Sequence, residues 1–271
     1  MDEKIYKTEP GDIHYYVNMS AGSAPTLVFL PGLTADHTLF DKQIEYFGST
    51  YNILVWDAPG HSASRPFELR FELKDKARWL NEILKEENIE SPVFVGQSMG
   101  GYVTQAFCQY YPGTLKGCVI IDSAPIQKSY YSRFDLYFTE HSESMYRLYP
   151  WKSLLKAGSK GVAETEDGRQ NMYDMMSIYN KNEYCRLVGH GYRMLTGAIK
   201  ADLPYTLTCP VQLICGKKDK AGLTKKYNEK WAAKTGYPIT WIENAGHNSN
   251  ADRPEEINAV IEDFAAALTR R

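Results

Sequence analysis

Six short stretches of this chain are apolar at nearly every position instead of every second one: Thr26 to Leu30, Asn52 to Trp56, Pro92 to Val95, Gly117 to Ile121, Val211 to Cys215 and Ile239 to Ile242. A strand of that kind has no face it can show to water, so both sides of its sheet must be covered. Turn-formers close several of them, Pro31-Gly32 after the first and Asp57-Ala58-Pro59-Gly60 after the second. Between them lie segments with helical spacing: Leu73 to Glu87, with Ala77, Leu80 and Leu84 at i, i+3 and i+7, then Gly100 to Tyr110, Lys225 to Lys234, and Pro254 to Leu268 with proline suited to a first turn. Buried strands alternating with amphipathic helices predict an α/β fold, a parallel sheet wound by right-handed crossovers. Tyr6 and Ile13 to Val17 add an opening hairpin, bringing the expected sheet to eight strands.

One region breaks the alternation. From about 125 to 204 no strand pattern occurs, only helix-like pieces dense in Tyr, Met, Leu and Arg. The expected organisation is therefore a core made of residues 1–124 and 205–271, interrupted by a helical cap over 125–204. Its tyrosines, among them Tyr130, Tyr131, Tyr137, Tyr146, Tyr149, Tyr173, Tyr179, Tyr184 and Tyr192, combine hydrophobic mass with a polar tip, which suits a lid over a pocket.

Charge and composition exclude several functions. Thirty-one Lys plus Arg against 33 Asp plus Glu leave a formal charge of −2 in 271 residues, so no global field favours nucleic acid or an anionic membrane. No apolar run reaches the roughly 18 residues that a bilayer span requires, and the first residues, MDEKIYKTEP, lack an apolar signal core. A cytoplasmic protein acting on a small molecule, as a monomer or homodimer, is expected. The five cysteines show no C-x-x-C spacing and lie mostly in apolar stretches, which reads as buried thiols and not as a disulfide or zinc framework.

Chemistry enters directly after the strand Val93 to Val95, in Gly96-Gln97-Ser98-Met99-Gly100-Gly101. A G-x-S-x-G between a strand and a helix places its serine on a sharp turn with the hydroxyl above the sheet, and small residues are needed where backbones crowd. The amide of Met99 would open the helix, where free N–H groups favour an anion. A serine hydroxyl needs a base and an orienting acid. His247, in Asn244-Ala245-Gly246-His247-Asn248, follows the last strand, and Asp219 follows Val211 to Cys215. All three fall at C-terminal strand ends, where α/β sites lie.

These segments, with Leu30-Pro31-Gly32-Leu33, Asp57-Ala58-Pro59-Gly60-His61-Ser62 and Asp122-Ser123-Ala124-Pro125, resemble the α/β-hydrolase family over nearly the whole chain, in the style of its cap-bearing esterase, lipase and peroxidase-like members. The resemblance implies Ser98 as nucleophile, His247 as base and then acid, Asp219 as orienter, an oxyanion hole from the Leu33 and Met99 amides, and a cap after the sixth strand. It implies no metal and no organic cofactor. The family usually leads the oxyanion loop with a His-Gly pair, whereas Pro31 stands in the first position here. Some relatives carry the acid after the sixth strand, which leaves Asp122 as the alternative to Asp219. The implied activity is hydrolysis of a small carboxylic ester or related acyl compound. The same triad in relatives also serves thioester hydrolysis, carbon–carbon cleavage, perhydrolysis, or ligand reception with slow turnover.

Of the remaining histidines, His61 reads as a turn residue and His37 as a possible pocket-lining group, while His14, His141 and His190 have no partners at metal-ligand spacing. Lys217, Lys218 and Lys220 read as a solvated face around Asp219.

Overall fold

In the computed structural model, which describes residues 1–270, the apolar runs form one sheet. Its strands are β1 (Asp2–Thr8), β2 (Gly11–Asn18), β3 (Thr26–Leu30), β4 (Asn52–Trp56), β5 (Val93–Gln97), β6 (Gly117–Ile121), β7 (Val211–Gly216) and β8 (Ile239–Ile242). They lie in the order β1-β2-β4-β3-β5-β6-β7-β8. The hairpin β1–β2 is antiparallel and joins β4 antiparallel, and every other pair is parallel. The α/β expectation therefore holds, with β5 and β7 each reaching further toward their C-terminal ends than the apolar pattern alone marks.

Helices cover both faces. In chain order they are α1 (Asp41–Phe47), α2 (Leu73–Glu86), α3 (Met99–Tyr110), α4 (Arg133–Glu140), α5 (Ser142–Leu148), α6 (Trp151–Val162), α7 (Glu166–Ser177), α8 (Lys181–Lys200), α9 (Thr224–Thr235), α10 (Ser249–Asp252) and α11 (Pro254–Thr269). Strand alternation divides the core: Val28 and Leu30 of β3 pack with Leu80 of α2 and Val103 and Phe107 of α3. Leu27 and Phe29 point the other way, toward Phe47 of α1 and Ile257 and Ile261 of α11. The helical periodicity of α2 is reinforced at its start, where the Glu72 amide donates to Asp75 at 2.9 Å in a capping box. Helix α1 escapes sequence reading because seven residues give too little periodicity to separate it from a loop.

Between β6 and β7 the chain runs through α4 to α8. The longest of these, α8, is capped by Asn180, whose side chain accepts the amides of Asn182 and Glu183 at 3.0 Å each. Among the bonds that tie the insertion to the core, one cluster adjoins the loop of His247. The buried carboxylate of Asp252 accepts the amides of Glu164 and Thr165, the hydroxyl of Thr165, and the amide of Gly246 at 2.8 Å. Beside it the Asn248 amide donates to the Val162 carbonyl at 2.8 Å. No helix among the described residues is long and apolar enough to cross a membrane.

Removing the Asp252 carboxylate strands several buried donors, each of which costs on the order of 1–3 kcal/mol. Asp252→Ala is expected to lower the unfolding free energy by about 3 kcal/mol or more in urea titrations. A loss within error of zero would show that water replaces the carboxylate without penalty.

Candidate active site

Ser98 sits between β5 and α3 with φ 49° and ψ −113°, a conformation a non-glycine residue holds only when its surroundings enforce it. They do. Its amide donates to the Ile121 carbonyl of β6 at 2.9 Å, and its carbonyl accepts the Gly101 amide at 2.9 Å. A side chain on Gly100 would collide with the Leu30 carbonyl of β3, and one on Gly96 would lie 2.6 Å from the Gly100 carbonyl carbon. The turn closes only because both positions lack a Cβ.

The three residues singled out for acyl chemistry meet. His247 Nε2 lies 2.8 Å from Ser98 Oγ, and His247 Nδ1 lies 2.9 Å from Asp219 Oδ2. With Asp219 accepting from Nδ1–H, Nε2 presents its lone pair to the serine hydroxyl. The other Asp219 oxygen accepts the Ala221 amide at 2.7 Å, which fixes the carboxylate's rotation. Burial pulls the His247 pKa down, but the charge and hydrogen bond of Asp219 and the charge of Asp122 outweigh it, and the net position is above the ordinary 6.5.

Asp122 bears on the imidazole through its charge and makes its hydrogen bonds elsewhere. It accepts the Gly216 amide at 2.8 Å and both the amide (3.0 Å) and hydroxyl (2.5 Å) of Ser249, joining the ends of β6 and β7 to the loop after β8. Full burial, then the neighbouring Asp219 charge, push its pKa up to about 7.

Met99 opens α3, so its amide is one of the helix's free donors. The loop carrying Leu33 runs beside it: a Cβ on Gly32 would be 3.2 Å from that of Ser98. Gln97, a residue of the motif that sequence reading left without a role, donates through Nε2 to the His247 carbonyl at 2.8 Å and to Asn248 Oδ1 at 3.3 Å. It thus links the serine turn to the histidine loop. Only the fold reveals this, because the partners are 150 residues apart.

The insertion leans over the same end of the sheet. Leu33 packs against Gly191 of α8, where a Cβ would approach Leu33 Cδ1 to 2.6 Å. Tyr102, one turn beyond Ser98, neighbours Asp219, Tyr131 and Tyr192, and burial pushes its phenol up to about 12. Of the other tyrosines, Tyr179 and Tyr184 are buried, whereas Tyr137 and Tyr149 are exposed.

The tempting histidines go elsewhere. His37 Nδ1 bonds Asp57 Oδ1 at 2.8 Å and its ring packs tilted against Tyr16 with centres 4.0 Å apart, an arrangement at the end of β4. His61 is buried, with Nδ1 against the Pro59 carbonyl at 3.1 Å. Two clusters bring three metal-ligand types together, Asp36, His37, Asp57 and Asp122, Cys215, Asp219. In both, the carboxylates already accept protein amides: Thr38 on Asp36, His37 and Ala63 on Asp57, Gly216 and Ser249 on Asp122, Ala221 on Asp219. Lys217 and Lys220 lie at the surface in ion pairs with Glu243 and Glu164.

With this geometry in place, comparison with known proteins adds the lineage. Over 262 residues the chain is 23% identical to the (E)-2-((N-methylformamido)methylene)succinate hydrolase of Acinetobacter baylyi, covering 92% of each protein. A thermophilic esterase from Thermogutta terrifontis shares the fold with a TM-score of 0.78 at 18% identity, over 99% of both chains. The enol-lactonase from Burkholderia xenovorans LB400 does so with a TM-score of 0.73 at 18% identity, over 97% of this chain and 100% of that one. Residues 27–260 match the alpha/beta hydrolase family, and on that match, which takes in every segment of the site, the chain belongs to this family of enzymes.

Proposed function

We propose that the protein is a serine hydrolase that cleaves a small carboxylic ester or related acyl compound through an acyl-enzyme. The observation that carries this reading is the continuous relay from Ser98 Oγ to His247 Nε2 at 2.8 Å and from His247 Nδ1 to Asp219 at 2.9 Å, ending on a strained serine turn at a helix start. Ser98 attacks the substrate carbonyl while His247 takes the hydroxyl proton, and Asp219 stabilises the imidazolium that forms. The Leu33 and Met99 amides hold the tetrahedral oxyanion, each such donor contributing typically about 10²- to 10³-fold in rate. His247 then protonates the leaving alcohol, activates a water, and releases the acid. Residues 125–204 act as the cap, closing over the acyl group through α8 and its tyrosines. None of these steps calls for a metal or organic cofactor.

Assigning Asp219 as the orienting acid rests on its direct bond to His247 Nδ1, while Asp122 bonds to Gly216 and Ser249. Asp122 then acts as a positioning residue that fixes the loops on which Asp219 and His247 stand.

Labelling with a fluorophosphonate probe, read by intact mass and peptide mapping, tests the reading. Stoichiometric modification of Ser98 is expected in the wild type and none in Ser98→Ala. Asp219→Asn should slow labelling by up to about 10⁴-fold, and Asp122→Asn should keep most of the rate. A wild-type Ser98 that stays unmodified while the protein is folded would sink the assignment. The pH profile gives a second check. His247 acts as base only when neutral, and its pKa lies above 6.5, so the acid limb of kcat/KM is expected to have its midpoint above pH 6.5. Asp219→Asn should move that midpoint down, since it removes the charge that favours the imidazolium.

A further inference from the structure

Between α8 and β7 the chain runs through 201–210 without regular structure, and there it carries a thiol that the hydrolytic relay does not use. This return segment lies along α3 and the turn after it: the Tyr205 amide donates to Gln109 Oε1 at 2.7 Å, and the Gly113 amide to Thr208 Oγ1 at 3.3 Å. It also meets the outgoing end of the insertion, because Gln127 Nε2 donates to the carbonyls of Pro204 and Tyr205 at 3.1 and 3.0 Å. Cys209 follows, two residues before Val211, and Val211 is the register partner of Cys118 in β6. Side chains two residues apart on an extended chain return to the same face. The two sulfurs accordingly meet, with Cys209 Sγ standing 3.9 Å from Cys118 Sγ.

The pair is unequal in access. Cys118 is fully buried in the layer that also holds Cys108 of α3, whereas Cys209 is half-buried at the edge of that layer. Cys185 and Cys215 are buried as well. An oxidant arriving from solvent therefore reaches the Cys209 sulfur first, with the Cys118 sulfur directly behind it. An oxidised thiol condenses with a second thiol when one stands within reach. A disulfide holds its sulfurs about 2.0 Å apart, so the pair must close from 3.9 Å by roughly 1.9 Å. Cys118 is held by its amide, which donates to the Pro210 carbonyl at 3.0 Å. Cys209 precedes the first residue of β7 and stands outside its ladder, so the movement falls to Cys209.

We propose that Cys209 and Cys118 form an oxidation site at which a hydroperoxide joins the two thiols in a disulfide. The Cys209 sulfur, giving up its proton, attacks one peroxide oxygen; the O–O bond breaks, the departing oxygen leaves with that proton as water, and Cys209 is left as a sulfenic acid. The Cys118 sulfur then attacks the Cys209 sulfur, the S–O bond breaks, and the hydroxide leaves with the Cys118 proton as a second water. The two sulfurs lose two electrons and the peroxide oxygens gain them. The new bond closes a ring from 118 to 209 that contains the whole of α4 to α8. It pins the return segment of the insertion to β6, and so long a closed loop restricts the unfolded chain strongly. Cys118 stands at the start of β6 and Asp122 just past its end, about 13 Å further along an extended strand. The link therefore acts on the stability of the fold from the edge opposite the serine, and it stands independently of the hydrolase reading.

Treating the reduced, folded full chain with hydrogen peroxide, then alkylating the remaining thiols in denaturant, tests the site on the wild type itself. Intact mass before alkylation is expected to fall by about 2 Da, the two hydrogen atoms removed. Chymotryptic mapping, which separates Cys209 from Cys215 at Leu213, should return Cys118 linked to Cys209, and dithiothreitol should open the link. Thermal unfolding of the oxidised form should show a Tm higher by about 5 °C or more, lost again on reduction. Cys209→Ser, a change at a half-buried position, should show neither the mass loss nor the rise. A wild type whose five thiols all remain alkylatable overturns the proposal. So does a Cys209 that runs on to the sulfinic acid without a link, or a link from Cys209 to Cys108 in place of Cys118. A linked pair with an unchanged Tm would overturn the stabilising role assigned to the ring.

Discussion

Everything chemical in this molecule depends on one close approach, that of the start of α3 to the carbonyl of Leu30 at the end of β3. Gly100 permits it. With the helix backbone pressed onto the sheet, Ser98 is forced into its left-handed conformation and its side chain stands above the strand ends, where the free amides of α3 point. The strain, on the order of 1–3 kcal/mol, is balanced by the bonds to Ile121 and Gly101 and by the packing of α3 on the sheet. A flexible serine could find the same histidine, but would lose the entropy of finding it each time.

The strands were legible in the sequence because continuous apolar runs leave few alternatives, and Ser98, His247 and Asp219 were legible together because each directly follows such a run. What stayed hidden has a common cause. Gln97 and Asp252 act through partners that no local pattern announces, the His247 carbonyl and the amides of Glu164 and Thr165, and Lys76 is buried where no local pattern marks it. A glutamine inside the motif looks like a spacer, an aspartate before the last helix looks like a cap, and a lysine in an amphipathic helix looks solvated. His37 carries a partner that its surroundings in the sequence do not name. It lies shortly after the Leu33 loop, and Asp57, buried at the end of β4, holds its ring.

The loop that carries His247 is held from three directions. Gln97 holds it to the serine turn, Asp122 through Ser249 to the ends of β6 and β7, and Asp252 through Gly246 to the insertion. Two of the three anchors are buried carboxylates that accept backbone amides, bonds stronger than those between neutral groups. Such bracing explains how a loop residue reaches the positional accuracy usually found on strands and helices.

The Asp252 clamp also restricts how the insertion can move. Residues 162–165 are bonded to the very loop that carries His247, so the α6–α7 junction cannot lift without dragging the imidazole from Ser98. At the opposite end of the insertion, α4 and α5 show Phe134, Tyr137, Phe138, Met145 and Leu148 to solvent. One end of the insertion is thereby fixed to the loop of His247, while the aromatic side chains of the other end face solvent.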